Sequence, residues 1–151
     1  MPAAKILLPF FMMTLLLCLS QCTTEGCTDE TSYLYNEKAD EDNGICRYKT
    51  RFVFWWRQPT ADFLLEAGEN QLFFYISGDS VGMENTRNFN ETAPACNLNM
   101  PYSGEFDMGA DAQGRYFYLV TDEEGNEFFN GAIKVDNPQD CNAVELDWFE
   151  E

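Results

Sequence analysis

The feature that most constrains this chain is a series of short aromatic and β-branched runs, separated by turn residues, from Arg47 onward. Arg51-Phe52-Val53-Phe54-Trp55-Trp56-Arg57 is the first strand candidate, and Gln71 to Ser77 the second, ended by Gly78-Asp79. Gly104 to Met108, Arg115 to Thr121, Glu127 to Val135 and Cys141 to Phe149 follow, with a turn over Asp122–Asn126. Such side chains suit a pleated, half-buried surface, and repeated short runs with turn signals build a sandwich or a barrel. Asp62 to Ala67 has room for one helical turn between Pro59 and Gly68. The expected fold is all-β, an antiparallel β-sandwich over residues 47–151.

Alternation with period 2 assigns the faces. Phe52, Phe54 and Trp56 share one face of the first strand, and Arg51, Val53, Trp55 and Arg57 the other, which the charges mark as outward. The same alternation makes Phe52, Phe54, Trp56, Leu72, Phe74, Ile76, Phe117, Leu119, Ile133, Val135, Val144 and Leu146 the expected core. Trp55, Tyr116 and Tyr118, with Phe73 and Tyr75, are the candidates for an exposed aromatic stripe beside Arg51 and Arg57, a surface suited to stacking on sugar faces; the rival is that loops or the N-terminal module cover both sheet faces and these aromatics are satellite core.

Charge narrows the function classes. The chain has 26 acidic against 9 basic residues, a formal net charge of −17 and no histidine. Nucleic acid is excluded as a partner by repulsion from its phosphates. The lack of histidine removes His-assisted nucleophiles and the commonest zinc ligand. With 45% hydrophobic and 15% aromatic residues, the chain is not a disordered acidic tail. Carboxylates are plentiful, but no pair stands out as a glycosidase-like couple; no catalytic residues are assigned, and the chain is not expected to be an enzyme.

Residues 1–21 read as a signal peptide: Lys5 is the positive region and Ile6 to Leu19 the apolar one, short for a membrane span. Leu19-Ser20-Gln21-Cys22 resembles the lipobox of bacterial lipoproteins, which implies lipidation of Cys22. Gln21 departs from that pattern, and cleavage after Ser20 is the rival reading. Either way the protein is exported, to the cell envelope at the outer membrane or cell surface, or secreted. Membrane attachment is expected through a lipid anchor only.

An oxidising compartment makes disulfides the default for Cys27, Cys46, Cys96 and Cys141. Composition divides the chain into an acidic module, residues 22–46, and the sandwich. That division pairs Cys27 with Cys46 and Cys96 with Cys141. Closure of the module loop contributes about 3 kcal/mol in the chain-entropy model.

Gly26-Cys27-Thr28-Asp29, Tyr35-Asn36, Ala39 and Asp42-Asn43-Gly44-Ile45-Cys46 resemble a short repeat of secreted Bacteroidetes proteins, similar in character to calcium-binding thrombospondin type 3 loops. Glu30 and Glu37 stand where that repeat has prolines, Leu34 where it has asparagine, Asn43 where it has aspartate and Ile45 where it has serine. Calcium is therefore the candidate cofactor, with Asp29, Asp40, Asp42 and Asn43 as oxygen ligands and Gly44 as the turn. The full twelve-residue calcium-loop signature is absent; the rival is a solvated acidic linker.

Gly114-x-Tyr116-x-Tyr118, Phe129-Asn130-Gly131 and Cys141-Asn142-Ala143-Val144-Glu145-Leu146 resemble a family of small Bacteroidetes surface lipoproteins to which no activity is assigned. The resemblance implies an immunoglobulin-like or prealbumin-like sandwich. Asp79-Ser80-Val81 resembles a Bacteroidetes O-glycosylation motif on Ser80, in an expected loop; Asn90-Glu91-Thr92 fits the N-glycosylation pattern, idle in a bacterium. The function expected is binding or a structural role at the cell surface. The expected partners are a glycan, through the aromatic face, or another surface protein, with a calcium-stabilised adhesion or assembly subunit as a further alternative.

Overall fold

The structure, a computed structural model, describes residues 23–96 and 103–148. The expected signal peptide and Cys22 lie outside the described residues.

The acidic module is closed by the Cys27–Cys46 disulfide. It carries two short parallel strands, β1 (Glu25–Gly26) and β2 (Glu41–Asp42). Gly26 is required by close packing, because a Cβ there would lie 2.9 Å from the Asn36 side chain. The module has little aliphatic core, so the disulfide and local turns hold it.

The sandwich has two sheets. One has strand order β6-β3-β9, with β3 Tyr48–Trp55, β6 Ser103–Gly109 and β9 Cys141–Glu145. The other has order β5-β4-β7-β8, with β4 Gln71–Ile76, β5 Asp79–Asn85, β7 Gly114–Thr121 and β8 Glu127–Val135. The antiparallel expectation holds for every sandwich pair except β3–β9, which is parallel: Arg51 stands opposite Cys141 and Trp55 opposite Glu145.

Two elements differ from the sequence reading. Helix α1 runs from Gln58 to Glu66, with Pro59 in its first turn. A proline starts a helix there without loss, because the first amides have no intrahelical acceptor. β5 was expected as loop, since Gly82 and Glu84 break the apolar pattern. Ser77 and Gly78, both at positive φ (51° and 92°), form the tight turn that folds β5 back onto β4.

Phe54 and Phe74 stack across the two sheets at 4.9 Å, with Trp56 at 6.2 Å from Phe74. Phe52, Phe54, Trp56, Leu72, Phe74, Ile76, Ile133, Val135 and Leu146 are buried as expected, and Val144 packs on them partly buried. α1 buries Ala61 and Leu64, and its Phe63 stacks on Trp148 at 4.0 Å.

The faces of β7 are the reverse of the expectation. Val120 is fully buried, Tyr118 meets Phe54 edge-on at 5.5 Å and Tyr116 meets Phe106 at 5.0 Å, whereas Phe117 is 65% exposed. Leu119 stands on the outward side with Phe117. Glycine explains the phase. A Cβ on Gly131 would lie 2.6 Å from the Tyr118 ring, and one on Gly114 would lie 2.7 Å from the Tyr116 hydroxyl. Each tyrosine ring lies inward over a glycine, a packing closed to any side chain.

Val53 and Trp55 are also buried, against the outward assignment. The Asn90 amide donates to the Trp56 carbonyl (2.9 Å), and Cys96 is bonded to Cys141, which pairs with Arg51. The segment from Asn90 to Cys96 is therefore anchored beside β3, at Trp56 and, through Cys141, opposite Arg51.

Candidate functional site

The outer face of the four-stranded sheet carries the aromatic surface. β4 contributes Phe73 and Tyr75, β7 contributes Phe117 and Leu119, and β5 contributes the exposed Met83. Tyr75 stands opposite Leu119 on one side and Ser80 on the other; Phe117 stands opposite Ala132 and Leu119 opposite Asn130. β4 and β7 are the two interior strands of this sheet, where a large exposed ring is least expected. A groove of about 370 Å³ opens here, lined by Tyr75, Phe117, Leu119, Ser77 and Thr121 among others. The Arg115 guanidinium lies 5.8 Å from the Phe117 ring centroid.

The stripe expected from Trp55, Tyr116 and Tyr118 is not assembled. Trp55 is 7% exposed and lies on the other sheet, and Tyr116 and Tyr118 face the core, although Tyr118 also borders the groove. Burial, then the charge of Asp111, pushes the Tyr116 pKa up. Of the residues the sequence singled out, Phe73 and Tyr75 lie on the exposed face; Phe117 and Leu119 were assigned to the core. The signal that could have placed them was Gly114 and Gly131, which mark the side on which tyrosine rings lie.

The calcium candidates lie in the module, and Asp29, Asp42 and Asn43 each give one side-chain oxygen to a local turn. Asp29 Oδ1 accepts from the Thr31 amide (2.9 Å) and hydroxyl (2.8 Å), and Oδ2 accepts from the Tyr48 hydroxyl (2.7 Å). Tyr48, then the Thr31 amide and hydroxyl, hold the Asp29 pKa below the usual carboxylate value; Tyr48 itself is pushed up to about 12, first by that hydrogen bond and then by burial. Asp42 Oδ1 accepts from the Gly44 amide (3.0 Å) and Asn43 Oδ1 from the Ile45 amide (2.9 Å), with Gly44 at φ +70°. Asp40 is exposed.

Among the described residues, the acidic triplet that converges within 4.8 Å is Glu69, before β4, with Asp122 and Glu124 of the β7–β8 turn. Burial raises Asp122, but hydrogen bonds from the Asn126 side chain and from nearby backbone amides hold it below its usual value. Its carboxylate thus caps its own turn, with Asn126 Nδ2 at 2.6 Å. Ser80 is exposed, on strand β5 rather than in a loop, two residues after the turn glycine.

These features define an all-β, disulfide-bonded sandwich with an aromatic outer sheet face. Comparison with protein-family models, curated proteins and solved structures found no match to this chain.

Proposed function

We propose that the protein is an exported, lipid-anchored binding module of the cell envelope, and that it holds a neutral saccharide on the outer face of the four-stranded sheet. The observation that carries this reading is Phe117, 65% exposed on an interior strand and flanked by Tyr75 and Leu119. Exposing such a ring costs hydrophobic free energy on folding, about 25 cal/mol per Å² left in water. A surface of this kind marks a binding site more often than a stability device.

The chemistry of the face favours a sugar. Flat rings offer an apolar surface, and the exposed Ser80 and Asn130 around them offer hydrogen bonds to a hydroxylated rim. The net charge of −17 repels a polyanionic ligand. The role is binding rather than catalysis. Lipidation of Cys22 would fix the module to the membrane, where more than one acyl chain is needed for stable attachment.

The test is a glycan array probed with the mature protein and with Phe117→Ala. Retention of neutral glycans by the native protein, lost in Phe117→Ala at unchanged melting temperature, supports the reading. No retained glycan, or equal retention by the variant, contradicts it.

A further inference from the structure

The seam between the acidic module and the three-stranded sheet forms a second groove, of about 610 Å³. Ligand sites of this size concentrate at junctions between structural units. The floor is Lys49 and Arg51, on one face of β3, with Glu105 of β6 opposite Arg51. The module supplies one wall through Glu30 to Tyr33, and the turn after β8 supplies the other through Pro138 and Gln139.

Hydrogen bonds fix both walls. The Ser32 hydroxyl donates to the Arg47 carbonyl (2.8 Å) and accepts from the Arg47 amide (3.0 Å), and the Tyr33 amide donates to the Arg47 carbonyl (3.0 Å). Gln139 Nε2 donates to the Glu30 carbonyl (3.3 Å), and Arg51 Nη2 donates to the Gln139 carbonyl (3.0 Å). The groove is therefore formed before any ligand arrives, which reduces the ordering cost of binding.

We infer that this groove binds a saccharide bearing one carboxylate, a uronic acid. Arg51 has donors beyond the one given to Gln139, in a planar fork that matches a carboxylate. Lys49 Nζ lies 4.9 Å from the Tyr33 ring centroid and 3.8 Å from Glu105, so a second cation stands beside the fork and braces the ring. Tyr33 is 49% exposed and presents a flat stacking surface to the sugar ring. Glu30 and Glu105 line the same groove; they accept hydrogens from sugar hydroxyls and repel further anionic groups. That pairing of two cations with two carboxylates selects a singly charged, hydroxyl-rich ligand over a sulfated polyanion. The inference stands on residues distinct from the aromatic face and does not depend on that reading.

The experiment is calorimetric titration of the mature protein with a glucuronate-containing disaccharide, with the neutral glucose disaccharide of the same linkage as comparison. Saturable binding of the glucuronate probe is expected, at least tenfold tighter than the neutral one, and weakened by added NaCl. Arg51→Gln should lose roughly tenfold or more in affinity through its charge-assisted bonds, with Arg51→Lys intermediate and Tyr33→Ala weakened. Arg57→Gln, at the N-cap of α1 and paired to Glu145, and Phe117→Ala, on the other sheet, should bind as the native protein does. Melting curves establish that each variant is folded. No binding of the glucuronate probe, equal affinity for both probes, or unchanged affinity in a folded Arg51→Gln overturns the inference; loss in Phe117→Ala instead places the acidic sugar on the other face and overturns it equally.

Discussion

The Tyr48 hydroxyl donates to Asp29 Oδ2 at 2.7 Å and joins the acidic module to the first long strand. Two pH dependences follow from that one contact. The Asp29 pKa is lowered in the folded protein, so its contribution is present above the ordinary carboxylate value and is lost as pH falls through the lowered one. The Tyr48 pKa is raised from 10.0 to about 12, so its contribution is complete below 10 and is lost as pH rises toward 12. Tyr48→Phe should cost about 1–2 kcal/mol at neutral pH and flatten the alkaline arm of the melting temperature against pH. Identical alkaline arms in the two proteins would show that the bond contributes nothing. Ultraviolet titration of the tyrosines reads the same group directly.

At the scale of elements, strand positions were legible wherever aromatic and β-branched residues run together, as in β3, β4, β7 and β8. β5 was hidden because its Asp79, Gly82 and Glu84 carry no strand signal, and because Ser77 takes a positive φ that its residue type does not announce. Faces were less legible than strands. Arg51 and Arg57 bracket a stretch whose middle, Val53 and Trp55, is buried, while a distant segment is tied to the same sheet through Cys96–Cys141, and no local pattern reports either. On β7 both alternating sets are apolar, so period 2 fixes the alternation without its phase, and the tyrosine-over-glycine packing decides. The phase is tested by a pair of substitutions in denaturant unfolding. Phe74→Ala should cost roughly 3–5 kcal/mol as a core truncation, and Phe117→Ala less than about 1 kcal/mol as a surface change. Comparable losses would return Phe117 to the core. For the module, millimolar Ca²⁺ should raise the melting temperature above that in NaCl of equal ionic strength, and Asp42→Ala should abolish the difference; an equal rise in both proteins assigns the effect to diffuse charge.

The whole molecule is a sandwich in which the two disulfides divide the labour. One closes a module too polar to hold itself, and the other ties a segment to β9 of the three-stranded sheet, while the four-stranded sheet carries the exposed aromatic face. Paired replacement of Cys96 and Cys141 by serine should cost about 4 kcal/mol and shift tryptophan emission to the red as Trp55 meets water; unchanged emission would show that the segment stays in place without the bond. The pairing of the cysteines was legible in the sequence because, with Cys22 set aside for lipidation, the acidic stretch and the aromatic stretch each hold two. The open face was not, since it depends on the phase of β7. The most direct measurement is amide chemical-shift mapping of the isotope-labelled mature protein during titration with a neutral oligosaccharide retained on the array. The proposal predicts shifts grouped at Phe73, Tyr75, Phe117 and Leu119 and absent at Trp55. Shifts grouped on β3 and β9, or scattered without relation to either sheet, would contradict it.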